Sequence, residues 1–331
     1  MDPTRARPWI RLKEELDNLR TALDWALQSR PDAALRLSGA LGWFWWGRDY
    51  HSEGRRWLDR ALAANGEPTP ARMKALHAAG WIAHHQRDLA EARALLEESL
   101  AIARDLGDRG SVAWALHCLG RVAYFEKEPA AARALGEQSL TVAEEVGDAS
   151  LIAWAHHLLG LAAYIADDDP TARIHYERSL AIRRALRFHE GEGILIILLG
   201  LVAARQGNLV EARALYQEGL ATIRELLGPW GLAMPFAALS HLAATNGQPG
   251  RAVRLGAAAT RLRDAYQTPL IPLIEPFLAQ ALDAARRALS ELTYAQAWAE
   301  GQGMSLETAI ADALATVRTG NHASFARVER L

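Results

Sequence analysis

A single cysteine, Cys118, stands in 331 residues. It cannot close an internal disulfide, which agrees with a reducing compartment. Its place inside an apolar helical pattern marks it as buried filler rather than a nucleophile. Lysine is nearly missing too: Lys13, Lys74 and Lys127 are its only occurrences, and every other basic side chain except histidine is arginine. Neither sign of charge is in excess, with 37 Lys and Arg against 39 Asp and Glu and a formal net charge of −2. Binding nucleic acid by releasing phosphate counter-ions needs a basic excess, so direct nucleic-acid binding is not expected. The longest apolar run, Ile194–Ala204, falls short of the roughly 20 residues that cross a bilayer. No charged-then-apolar leader opens the chain, so a cytoplasmic location without membrane contact is the expectation. Aromatics make up only 7%, yet the 11 Trp outnumber the 6 Phe and the 7 Tyr. What those tryptophans do is the question the rest of the sequence has to answer.

What is abundant is repetition. Gly80, Gly120, Gly160 and Gly200 stand 40 residues apart, and Ser240 continues the series. Thirteen positions on come Arg93, Arg133, Arg173 and Arg213, each after an alanine: Ala92, Ala132, Ala172 and Ala212. Ser99–Leu100, Ser139–Leu140 and Ser179–Leu180 hold the same register, followed by Gly219–Leu220. The segment before Gly80 fits with a 38-residue offset, giving about six units between residues 36 and 265. Each unit reads as two amphipathic helices: Val112, Ala115, Leu116, Leu119 and Ala123 recur at spacings of three and four in the first. Pro129 and Pro170 suit first-turn positions, Gly207 and Gly247 occupy the matching loops, and Gly107 and Gly147 suit left-handed C-caps. Asp108 or Ser111 would cap the helix that follows. The mid-helix glycine and the alanine of the second helix are expected to let the two backbones approach closely. The predicted fold is all-α, a right-handed solenoid of helical hairpins.

Leu-Gly in the first helix, a nearby aromatic (Trp45, Tyr124, Tyr164) and the small Ala of the second helix resemble the tetratricopeptide repeat, whose usual period is about 34. The longer spacing is similar to that of sensor arrays in STAND proteins, including LuxR-type transcriptional regulators related to the maltose-system activator. Glu14–Leu27, EELDNLRTALDWAL, resembles the helix that opens those arrays, and Leu255 through Ala297–Leu314 resembles the segment that ends them. The organisation then reads as a capping helix over 1–35, the array over 36–265, capping helices over 266–318 and a frayed tail over 319–331. Leu12, Leu16, Leu19, Leu23 and Leu27 form the stripe that would cover the first unit. Pro31 is expected to end that helix. Ser305 is expected to cap a short final helix. The resemblance implies ATPase and DNA-binding domains as partners in cis or in trans. No G-x-x-x-x-G-K-[ST] occurs here, and residues after about 315 show no helix-turn-helix pattern. A sensor segment and a free-standing scaffold that joins two proteins both remain open.

In stacked helix pairs the first helices line the concave side. Reading across units gives four ladders. Lys74, Trp114 and Trp154 form one; His77, His117 and His157 a second. Trp81 and Arg121 head a third, which turns to Leu161 and Leu201; His84, Tyr124 and Tyr164 form the fourth. These eleven residues are the candidate groove, where large rings with few rotors and directional polar groups would bind a peptide, a protein segment or a small effector. Ordinary packing between duplicated units would produce the same ladders, and only exposure separates the two. Trp43 and Trp46 share a side and would face the groove, with Trp45 packed inside. In the adjacent pairs His84–His85 and His156–His157, at most one member is expected to serve it. His77 and His84, seven apart, place their Cα atoms about 10.5 Å apart along a helix, too far for a two-ligand zinc pair. No metal, cofactor or catalytic constellation is expected, and the function reads as binding rather than catalysis.

Overall fold

The computed structural model describes residues 11–47, 50–187, 191–226, 229–266 and 273–315. Among these residues there is no strand. Six helical hairpins follow one another. The first pairs Pro31–Ala40 and Gly42–Gly47 with His51–Ala64. The next three are Pro70–His85 with Leu89–Asp105, Arg109–Phe125 with Pro129–Val146, and Ala149–Ile165 with Asp169–Ala185. The fifth and sixth are Glu192–Arg205 with Leu209–Leu226, and Ala233–Thr245 with Pro249–Tyr266. Each first helix packs on its own second helix and, from the second hairpin on, against the second helix of the preceding hairpin, which is the arrangement of a tetratricopeptide-like solenoid.

Local chemistry sets the boundaries. Asp88, Asp108, Asp148 and Asp168 each cap a helix by accepting backbone N–H groups two or three residues on. Asp108, not Ser111, is the cap: its carboxylate accepts from both Ser111 N, at 3.0 Å, and Ser111 Oγ, at 2.8 Å. The turns of hairpins two to six each hold one residue in the left-handed region. Gly207 and Gly247 fill that place in the fifth and sixth hairpins, whereas Arg87, Lys127 and Asp167 adopt it in the second, third and fourth. A turn conformation inherited with the repeat thus persists where glycine does not.

Three expectations change in detail. The first array helix begins at Pro31, not at residue 36, because Pro31 starts one helix immediately after another has ended at Ser29. The mid-helix glycines face mainly side chains; only at Gly80 is a neighbouring backbone atom, the Ala92 carbonyl oxygen, also close. A methyl added at Gly80 would strike Leu96, at Gly160 or Gly200 the ring of Tyr176 or Tyr216, and at Gly120 the side chain of Leu158 from the next hairpin. Each glycine is therefore a recess for a large side chain. The C-terminal cap also holds a helix that periodicity passed over, Glu291–Gly303, between Glu275–Ala288 and Leu306–Leu314.

Both ends are covered. Leu16 and Leu23 are buried against the first hairpin, with Leu12, Leu19 and Leu27 packed beside them. At the other end arginines of the Pro249–Tyr266 helix hold the cap. Arg251 and Arg254 pair with Asp312 at 3.4 and 3.2 Å. Arg261 donates to the carbonyls of Gln302 and Met304 at 3.0 and 2.6 Å. Ser305 caps the final helix by accepting from Thr308 N at 3.1 Å. The tail expected to fray, 319–331, lies outside the described residues.

Candidate functional site

The first helices of hairpins two, three and four carry the ladders, and their register brings most of the rings into one seam. Trp81 is its centre. Its ring centroid lies 5.5 Å from Trp114, 6.5 Å from Trp154 and 6.1 Å from Trp43. Trp114 meets Trp154 edge-on at 5.6 Å and stacks on His117 at 5.3 Å, and His157 lies 5.9 Å from Trp154. The guanidinium of Arg121 stands over Trp81 at 5.1 Å. These separations are those of attractive aromatic and cation–π pairs.

Curvature is what closes the seam. Trp43 of the first hairpin reaches Trp114 of the third at 5.9 Å, and Trp81 of the second reaches Trp154 of the fourth. Rings from alternate hairpins thus touch across the concave side. As a result, of the eleven candidates only Lys74 is exposed and only Trp114 is partly so; His77, Trp81, His84, His117, Arg121, Tyr124, Trp154, His157 and Tyr164 are buried. In this conformation the rings pack on one another.

The structure divides the set. Trp81, His84, Trp114, His117, Arg121, Trp154 and His157 form the seam. Tyr124 and Tyr164 belong to an adjoining core cluster with Leu273 and Ile274 of the C-terminal segment. Tyr164 carries Arg205 over its ring at 3.7 Å. Lys74 and His77 lie toward the Asp108 carboxylate. As expected, Trp45 is fully buried and Trp43 and Trp46 face the seam. His156 turns away to His175, their Nδ1 atoms 3.0 Å apart, leaving His157 to the seam. The other histidine pair departs from expectation. His84 stacks on Trp81 at 5.5 Å, and His85 lies 4.7 Å from the same ring with Nδ1 2.8 Å from the Trp81 carbonyl. The helix ends at His85, and its ring folds back over the last turn.

Arg183, not a candidate from the ladders, comes from a second helix and lies over Trp154 at 4.0 Å. Its signal was a break in register. Ala103, Ala143 and Ile223 hold the equivalent buried positions, and Arg263 of the sixth hairpin, though charged, is not buried as Arg183 is.

The electrostatics are those of a dry interior. Burial pushes His77 down to about 4 and His85 to about 3. Burial first, then the charge of Arg121, holds His84, His117 and His157 well below the usual imidazole range, so all are neutral donors or acceptors at pH 7. Burial also raises the Cys118 thiol, which removes its thiolate character. Several polar atoms of the seam are enclosed without a hydrogen-bond partner: Trp81 Nε1, His84 Nε2, Arg121 Nε and His157 Nδ1, with His77 Nε2 beside it. Such atoms cost about 1–3 kcal/mol each when left so, which makes this the one stretch of the seam where added partners would gain most. Among the described residues no group of three or more His, Cys, Asp or Glu could hold a metal ion. Nor is any described helix long and apolar enough to cross a membrane.

Two tetratricopeptide-repeat family models match the chain, one over residues 111–185 and the other over 72–106 and 197–229. The chain therefore carries tetratricopeptide repeats in the hairpins that build the seam. Among solved structures it is similar to the apo form of RapI, at 14% identity over 77% of this chain and 98% of that one, with a TM-score of 0.53. It is similar also to a Rap protein complexed with competence and sporulation factor, at 14% identity over 80% and 77%, with a TM-score of 0.53. A third is the Rap conjugation gene regulator of the plasmid pLS20 in complex with a peptide, at 13% identity over 91% and 98%, with a TM-score of 0.52. At these identities the likeness establishes the fold. Among curated proteins none matches the chain in sequence.

Proposed function

We propose that this chain is a non-catalytic sensor array that binds a peptide or an extended protein segment on its concave face, within a cytoplasmic transcriptional regulator of the STAND/LuxR type. The observation that carries the binding role is the packed seam around Trp81. Rings that supply large contact area lie beside buried polar atoms that lack partners, and a peptide backbone brings both donors and acceptors. The Rap conjugation gene regulator, of the same repeat architecture, is bound to a peptide. Support for the regulator context comes from the two flanks. Glu14–Leu27 and Ala297–Leu314 resemble the segments that bracket such sensor arrays, and here both pack as end caps. ATPase and DNA-binding domains, in cis or in trans, are the partners this reading implies.

Binding on this face requires the rings to part, so ligand uptake and seam opening are one event. The test is retention of a random heptapeptide library on immobilised protein, followed by titration of the recovered peptides. The double variant Trp114→Ala, Trp154→Ala is expected to lose at least about tenfold in affinity, the scale of interface aromatic truncations, while keeping its helical circular dichroism. Equal retention by wild type and variant overturns the concave-face assignment, and loss of helicity shows that the two rings serve packing.

A further inference from the structure

Arg121 occupies a position where the repeat is otherwise uncharged. Its equivalents are Trp81, Leu161, Leu201 and His241. It is only 9% exposed, and its Nε has no partner. Other arginines of the array, among them Arg55, Arg72, Arg93, Arg173 and Arg205, pair with carboxylates. Among the described residues Arg121 pairs with none. The groups whose charge would favour its own are Tyr124 and Cys118, and burial keeps both neutral. Its neighbours His84, His117 and His157 are neutral as well. A buried guanidinium with stacking but no counter-ion is a costly arrangement that an incoming anion relieves.

The geometry points to a carboxylate-bearing ligand: on the peptide-binding reading above, on which this rests, an acidic side chain or the C-terminal carboxylate of the peptide enters the seam and pairs with Arg121. His117 and His157, beside it, offer imidazole N–H groups to the same carboxylate. Guanidinium is the suitable cation for this position because it stays charged under desolvation and presents parallel donors to two oxygens while stacking on Trp81.

The experiment uses the full chain and two random heptapeptide libraries, one with free C-termini and one amidated, each acetylated at the N-terminus. Retained peptides enriched in Asp or Glu from both libraries support an acidic side chain as the source. Retention from the free library alone supports the terminal carboxylate. In either case Arg121→Gln is expected to weaken the recovered peptides by roughly tenfold to a hundredfold, as loss of a charged hydrogen bond does, and Arg121→Lys to restore part of that loss. Peptides retained from both libraries with no acidic preference, and bound equally by Arg121→Gln, overturn this inference and leave peptide binding standing. Retention of no peptide overturns both. If Arg121→Gln is not folded by circular dichroism, neutralising the carboxylates of the recovered peptides, Asp or Glu to Asn or Gln and the C-terminus by amidation, decides on the wild-type chain alone: affinity unchanged by both overturns the inference, and loss on either supports it.

Discussion

The Ser139 hydroxyl donates to the carbonyl of Ala113, 2.8 Å away across the interior of the third hairpin. The same buried bond joins Ser99 to Met73 at 2.9 Å and Ser179 to Ala153 at 2.7 Å. Each spans 26 residues and ties a second helix to the first helix of its own hairpin, near the first helix's start. In the fifth hairpin the serine gives way to Gly219, and there the helices close directly, Gly219 against the Gly193 carbonyl. Serine as a bond and glycine as a close approach are thus two solutions at one repeat position.

Ser139→Ala is therefore expected to lower stability by about 1 kcal/mol, the net contribution of one intramolecular hydrogen bond. Urea unfolding followed by circular dichroism measures it. A change under a few tenths of a kcal/mol would show that the bond is replaceable.

Gly200 faces the buried Tyr216, and a methyl built there would lie 2.5 Å from the ring. Alanine is worth about 1 kcal/mol over glycine in a helix, but overpacking a tight core costs about 1–3 kcal/mol. The clash should win, so that Gly200→Ala melts lower than wild type. Combined with Tyr216→Ala, the cost should fall short of the sum of the single changes, because the added methyl then has room. Strict additivity would mean that the strain lies elsewhere.

These contacts mark how far the sequence could be read. The glycine series showed where hairpins repeat, since the 40-residue period recurs from Gly80 to Gly200. It did not show that Gly80, Gly160 and Gly200 answer Leu96, Tyr176 and Tyr216, because that complementarity lies between residues on two helices. The serine ladder was visible as text, but its bond to the paired helix was not. For the site, the ladders identified which side chains share a face. Their burial follows from curvature that carries Trp43 to Trp114 and Trp81 to Trp154 across alternate hairpins, and a period holds no information on curvature. Arg183 was missed because it rises from a second helix, whereas the concave side was assigned to first helices alone.

Acid should loosen the array through its histidines. His77, His84, His85, His117 and His157 titrate lower in the folded chain than in the unfolded one, where the value is near 6.5. The unfolded chain then binds more protons below pH 6.5, so stability is full above that value and falls as pH drops toward about 4 for His77 and about 3 for His85. The groups facing them reinforce the sign for four of the five. Arg121 opposes protonation of His84, His85, His117 and His157, and Arg183 does so for His117 and His157, while Asp108 favours it at His77 alone. Each buried histidine should contribute a loss of roughly 1 kcal/mol per pH unit in that window. Melting temperatures should hold between pH 7.5 and about 6.5 and fall from there to pH 5, and His117→Gln should flatten that fall. A melting temperature independent of pH over this range would contradict the burial of these rings.

Trp43 covers the seam from outside. It is 42% exposed, yet its ring lies 6.1 Å from Trp81 and 5.9 Å from Trp114. It sits on the six-residue helix Gly42–Gly47, beside the buried Trp45 that anchors the first hairpin. Removing a half-exposed ring with three aromatic neighbours, Trp81, Trp114 and the edge-on Trp46 at 5.5 Å, should cost about 2–4 kcal/mol, because each such pair is worth about 0.5–1.5 kcal/mol beyond area. The array should therefore stay folded in Trp43→Ala. What changes is access: Trp81 and Trp114 lose the surface that shields them from the solvent side. Hydroxyl-radical footprinting read residue by residue should show both oxidised several times faster than in wild type, with Trp45 unchanged as the internal reference. If Trp81 and Trp114 keep their protection, the seam is closed by its own inward packing and Trp43 is no cover. If all three gain reactivity together, the first hairpin has loosened, and the ring serves stability instead of access.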